Sequence, residues 1–184
     1  TAPVLRFTRG WYFLGPFTVG KNELDGDPLA EYGGAAALFR ARAAKKRIPD
    51  IVSEIVTGGK LAGWQRLDAG PRQVQVRPAN VDWNSLVQGL QSIEVQEVQG
   101  WAAADFDVAR SGWYSVSCPG VLTCYVDTLD RMLTGDMFRT GRIRNALHLS
   151  KGRHQTYAHL KFKGQTQFNV EIQRAPRRGA STLT

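Results

Sequence analysis

A chain of 184 residues with 42% hydrophobic and 22% charged residues has the composition of an ordinary globular protein, long enough to bury one sizeable core. No apolar run approaches the roughly 18 residues of a membrane-spanning helix, and the opening Thr1-Ala2-Pro3 carries no basic-then-apolar leader, as expected where a signal peptide is missing or has been removed. The net charge of +8, from 24 Lys and Arg against 16 Asp and Glu, attracts anionic partners: nucleic acid, acidic polysaccharide, anionic membrane or an acidic protein.

Taken in chain order, residues 11–14 are an apolar burst ended by Gly15-Pro16, which predicts a strand running into a turn; residues 17–19 continue extended. Residues 21–28 read as a polar loop with Asp25-Gly26-Asp27-Pro28 as its turn. Residues 35–47 are Ala-rich and basic, so they favour a helix, but Leu38 and Phe39 are its only large apolar residues. A surface helix or insertion is expected there, ended by Pro49. Residues 51–56 form a β-branched run, Gly58-Gly59 turns it, and residues 61–67 around Trp64 follow. In residues 71–76, Val74 and Val76 alternate with Gln73 and Gln75, the pattern of a strand with one wet face. Residues 81–90 read as a short turn or helix.

Residues 93–101 alternate again, and residues 102–108 are expected to continue to a strand edge. The chain is organised around residues 110–127. Gly112 opens a strand with Trp113, Tyr114 and Val116, Pro119-Gly120 is a type II turn pair, and a second strand runs from Val121 to Val126 and stops at Asp127. This predicts a hairpin. Residues 129–144 look polar and turn-rich, residues 146–149 form a short strand, and residues 149–154 with 157–163 look like a further hairpin of the same sheet. Residues 167–173 form the last strand, with Phe168, Val170 and Ile172 on one side. Many short strands separated by Gly and Pro turns argue one all-β domain over residues 1–173, an antiparallel β-sandwich of jelly-roll type, with 174–184 as a basic tail or linker.

Gly112, Tyr114 and Val116, then Tyr125 and Asp127, then Leu149, Gly152 and His154 form a spaced pattern. On these residues the C-terminal half resembles the PA14 and galactose-binding-like group of jelly-roll modules. Residues 11–15 with Asp25-Gly26-Asp27 are similar to the opening of sandwich domains that precede α/β-hydrolase domains in secreted multidomain enzymes. The first resemblance implies a jelly roll and a carbohydrate-binding or interaction role. One position departs from it: calcium-dependent PA14 lectins carry paired aspartates in the turn that reads Ser117-Cys118-Pro119-Gly120 here.

Asp25 and Asp27, with Glu23, are the densest carboxylate cluster, but calcium takes about 6–8 oxygens, and Asp-Gly-Asp-Pro is an ordinary turn sequence. His148, His154 and His159 are all the histidines. On a strand His159 shares a face with Tyr157, Lys161 and Lys163 while Ala158, Leu160 and Phe162 face the core, which disfavours a divalent metal. No Gly-x-Ser-x-Gly elbow occurs, so catalysis is not expected. Cys118 and Cys124 flank the central turn. Across a hairpin they fall within disulfide reach, implying an oxidising compartment; the alternative is two small half-buried thiols.

Basic residues fall in groups, among them Arg139, Arg142 and Arg144, then Lys151 and Arg153 with His154. They form either a polyanion-binding patch or a solvated surface. Tryptophans are usually core or interface residues, and Trp83 beside Asp82 and Asn84 has the local chemistry of a sugar site. The reading is a non-catalytic module of an extracellular or luminal protein or assembly, binding glycan or a protein partner. The glycan set is Trp83, Asp82 and Asn84, joined by Lys151, Arg153 and His154 for an acidic ligand. The alternatives are a structural subunit docked through its basic surface and tails, and a binder of acidic polymers such as nucleic acid or sulfated glycan.

Overall fold

The computed structural model describes residues 4–5, 7, 10–18, 65–70, 73–76, 98–162 and 166–175. The expected helix at 35–47, the strand at 51–56, the segment 81–90 and the carboxylate loop lie outside them. Among the described residues the chain is all-β: β1 (Trp11–Thr18), β2 (Gln65–Leu67), β3 (Val74–Val76), β4 (Val98–Val108), β5 (Gly112–Ser117), β6 (Thr123–Val126), β7 (Thr128–Thr134), β8 (Asn145–Leu149), β9 (Gly152–Phe162), β10 (Thr166–Phe168) and β11 (Glu171–Arg174). They build a six-stranded sheet in the order β2-β1-β4-β9-β6-β7, a three-stranded sheet β11-β5-β8 and a two-stranded pair β10-β3. Every strand pair is antiparallel.

Period-2 alternation decides what each strand buries. From the six-stranded sheet Ala102, Ala104, Phe106 and Val108 of β4 and Ala158, Leu160 and Phe162 of β9 point inward. Tyr114 and Val116 of β5, Leu149 of β8 and Ile172 of β11 meet them from the smaller sheet. The result is one shared core, with Val74, Val76 and Phe168 of the short pair closing one part of it. Each large side chain fully buried here, such as Phe106, Leu160 or Ile172, contributes about 1.5–3 kcal/mol. The expected inward faces of residues 74–76, 157–162 and 168–172 are those observed.

The pairing differs from the expectation at both predicted hairpins. Pro119-Gly120 does form its turn, with Val121 N–H bonding Cys118 O at 3.3 Å and Gly120 at φ 77°. Yet β5 pairs with β8 and β11, whereas β6 pairs with β9 and β7. The segment between them is an arch that crosses from one sheet to the other. Its polar backbone is satisfied by neighbours: Gly120 N–H bonds Asp136 O, Leu122 N–H bonds His159 O, and Pro119 O accepts from Asn169 N–H. Gly135 lets the next loop close on this arch, since a Cβ there would lie 1.9 Å from Val121 O. Residues 150–151 make a second crossing, from β8 in the small sheet to β9 in the large one.

Four other segments differ from the expectation. β4 is a central strand between β1 and β9, not a sheet edge. Residues 129–144, expected to be polar and turn-rich, contain most of strand β7 (Thr128–Thr134). The expected last strand is split into β10 and β11, which pair with different partners, and β11 runs to Arg174 with Ala175 N–H bonding Trp113 O. In β1 the chain passes Gly15-Pro16 with a register shift instead of ending there.

Candidate ligand-binding face

The alternation that turns Tyr114 and Val116 of β5 inward turns Trp113 and Ser115 outward. Trp113 is 60% exposed although it lies in the middle strand of the small sheet. His148 of β8 stands directly opposite it, with the rings edge to face at 5.5 Å and 79°. Ser115 is flanked by Ala146 of β8 and Gln173 of β11, and directly opposed residues share a face of the sheet. This outer face therefore carries one aromatic plane, a small neighbour that leaves it standing clear, and three polar side chains. An indole face packs on the C–H side of a sugar ring, while hydroxyl, amide and imidazole groups exchange hydrogen bonds with its hydroxyls.

The outer face of the large sheet is different. Gln99, Trp101, Ala103, Tyr157 and His159 are all buried there. Trp101 stacks on His159 with centroids 4.7 Å apart and planes 11° apart, and His159 Nε2 lies 2.8 Å from Gln99 Oε1. The indole Nε1 of Trp101 is buried and has no hydrogen-bond partner among the described residues. Of the tryptophans in described segments, Trp11 and Trp101 are buried and Trp113 is open.

Of the residues expected to form a ligand set, Lys151, Arg153 and His154 are described, and they do not converge on one point. Asp82, Trp83 and Asn84 lie outside the described residues, as do Asp25 and Asp27. Lys151 is exposed, and its N–H donates to Ser111 Oγ at 2.8 Å, which places it at the start of β5 near Trp113. Arg153 is exposed and pairs with Asp107 at 3.5 Å. His154 points the other way, into the sandwich. It is 6% exposed and stacks on Phe106 at 5.5 Å. Its Nδ1 lies 2.6 Å from Asp127 Oδ2 and its Nε2 2.8 Å from Ser150 O. With both nitrogens engaged, His154 is a pin between β9 and the β6–β7 corner, not a ligand contact.

The three histidines thus occupy three different faces, and among the described residues no three His, Cys, Asp or Glu side chains converge as a metal site. The basic loop after β7 is also partly occupied. Arg139 donates to Gln167 O, and Arg131 donates to Asp127 and to His148 O. Asp136 organises that loop: its Oδ1 accepts from Thr140 N–H at 2.8 Å and Thr140 Oγ1 at 3.0 Å, and its Oδ2 from Gly141 N–H at 2.7 Å. Burial pushes this carboxyl up, but the three hydrogen bonds outweigh it and hold it below the ordinary carboxylate value.

Cys118 and Cys124 are both free thiols, fully buried between the sheets. They lie on either side of the arch and not across a hairpin, and Cys124 Sγ is 3.2 Å from Thr156 Oγ1.

Comparison with known proteins adds one relative: the chain is 30% identical over 159 residues to an uncharacterized secreted protein of Arthroderma benhamiae. That match covers 80% of this chain but 16% of the fungal protein, so the chain spans about a sixth of that relative's length. No protein-family model and no solved structure matches it.

Sequence reasoning grouped Trp113 with Trp64 and Trp101 as a core or interface residue, whereas it is 60% exposed. Period-2 alternation was its signal: a strand that buries Tyr114 and Val116 turns residue 113 outward, beside Ser115.

Proposed function

We propose that this chain is a non-catalytic binding module of a secreted multidomain protein, and that it holds a glycan on the open face of the small sheet around Trp113. The observation that carries this reading is a tryptophan left 60% exposed in a central strand, where burying it would have stabilised the fold. A polar surround of Ser115, His148 and Gln173 suits a hydroxyl-rich ligand. The match to a much longer secreted protein supports an extracellular setting and a module within a larger chain. The PA14-like assignment belongs to the same proposal and rests on Gly112, Tyr114 and Val116 of β5 with Tyr125 and Asp127.

The test is a glycan-array screen of the wild type and Trp113→Ala, with and without a chelator. The expected result is a defined set of sugars, bound about tenfold or more weakly by the variant, whose melting temperature stays within about 1 °C of wild type because the site is exposed. A blank array, or a sugar profile that the variant reproduces, refutes the proposal.

A further inference from the structure

The loop between β7 and β8, residues 135–144, carries Phe138 at 85% exposure, the most open large apolar side chain among the described residues. The backbone around it is fastened. Asp136 is 1% exposed; its N–H donates to Cys118 O at 2.9 Å, and its carbonyl accepts from Gly120 N–H at 2.8 Å and Arg139 N–H at 3.0 Å. Arg139 holds φ 55°, a left-handed conformation that a non-glycine residue keeps only where its surroundings impose it, and its guanidinium is anchored on Gln167 O of β10. Phe138 thus stands in water between two pinned residues. The charge of the loop is one-sided. Its one carboxylate is that of Asp136, buried and taken up by Thr140 and Gly141. Arg142 and Arg144 are exposed, and their guanidinium groups have no partner among the described residues. The tip is also uncrowded, since a Cβ added at Gly141 would meet no atom within 4 Å.

We infer that this loop docks on an anionic phospholipid surface, with Phe138 entering the boundary between headgroups and acyl chains and Arg142 and Arg144 pairing with lipid phosphates. A lipid surface supplies both things the tip is built for, anionic oxygens and an apolar layer beneath them. The two signals work together. One aromatic ring or a pair of arginines alone gives marginal, reversible binding, whereas an apolar anchor beside basic charge gives attachment. Single-stranded nucleic acid also offers phosphates, but it is gripped by successive stacked aromatics along a basic groove. This tip has one exposed ring, and it stands clear. The docking does not involve Trp113, which lies on the outer face of the small sheet.

The full chain and its variants are sedimented with vesicles of phosphatidylcholine alone, or with about 30% phosphatidylglycerol, at about 150 mM salt. The wild type should partition onto the anionic vesicles roughly tenfold or more better than onto the neutral ones. Phe138→Ala, and Arg142→Gln combined with Arg144→Gln, should each weaken that binding about tenfold. Phe138→Leu should keep it within about threefold, because leucine is also apolar, and Trp113→Ala should leave it unchanged. All four variants should melt within about 1 °C of wild type, as expected for exposed positions. No sedimentation, equal partitioning onto both vesicle types, or a Phe138→Ala variant that binds like wild type overturns the inference. So does binding of a single-stranded oligonucleotide that depends on Phe138 at the same salt, which would assign the loop to nucleic acid.

Discussion

Asp127 shows how much one side chain can organise. It holds φ 63°, a left-handed conformation that aspartate tolerates better than most residues. From there its Oδ1 accepts Gln155 N–H at 2.9 Å, and its Oδ2 meets His154 Nδ1 and Arg131 Nη1. One carboxylate thus ends β6, turns the chain into β7 and fastens both to β9. Asp136 does the same for the next loop, and its chemistry makes a prediction. Its carboxyl is held below its ordinary value in the folded chain by the Thr140 and Gly141 bonds. A carboxyl with a depressed folded value stabilises above its unfolded value, and that contribution is lost as pH falls through the folded value. Asp136→Asn should therefore melt below wild type at neutral pH, because an amide cannot accept from all three donors through both termini. The gap should close only as pH falls below the ordinary carboxylate range and through the lower folded value, where the wild-type carboxyl takes up its proton. Melting curves from neutral to acid pH test this; a gap that stays constant with pH removes Asp136 from the acid dependence.

At the scale of strands, the two sheets meet along the β7–β8 edge without backbone pairing. Side chains bridge it instead. Asn145 accepts from Thr134 N–H at 3.1 Å and donates to Thr134 O at 2.9 Å, while Arg131 reaches His148 O. Asn145 thus substitutes for a strand partner on β7, an edge strand that would otherwise leave these groups open. Asn145→Ala should cost about 1 kcal/mol with an unchanged denaturant slope, and should speed amide exchange at Thr134. Unchanged stability and exchange would mean that the seam contributes nothing. The same strands mark the limit of what sequence can show. Inward faces were legible wherever polar and apolar residues alternate, as in Val74-Gln75-Val76 or residues 157–162. Partners were not, because Pro119-Gly120 makes the same local turn whether the chain returns beside itself or crosses to the other sheet. β7 left no alternating signal, since Leu133 is its one buried residue. β4 read as an edge because Ala102-Ala103-Ala104 lacks large side chains, yet those small residues lie flat between β1 and β9. Trp113 follows from alternation; its pairing with His148, and the placing of Gln173 beside Ser115, follow only from the sheet order.

For the whole molecule the question is which force holds a ligand, and the charge of +8 offers a rival to the tryptophan face. Several cations already have partners: Arg131 with Asp127, Arg139 with Gln167 O, and Arg153 with Asp107. Arg142, Arg144 and Lys151 remain on the surface, so a general attraction for polyanions is built in. The two forces separate by their salt dependence. Binding to a polyanion releases counterions, and its affinity falls with a log–log slope close to the number of neutralised charges. Stacking of a neutral sugar on Trp113 releases none. Titrating a neutral array-positive oligosaccharide and heparin from about 50 to about 500 mM salt should leave the first within roughly twofold while weakening the second by orders of magnitude. Trp113→Ala should abolish the first and leave the slope of the second intact, because the indole carries no charge. A neutral ligand whose affinity collapses with salt, or a heparin slope that disappears with Trp113, would place both ligands on one electrostatic site. The sugar-stacking face would then have no separate existence.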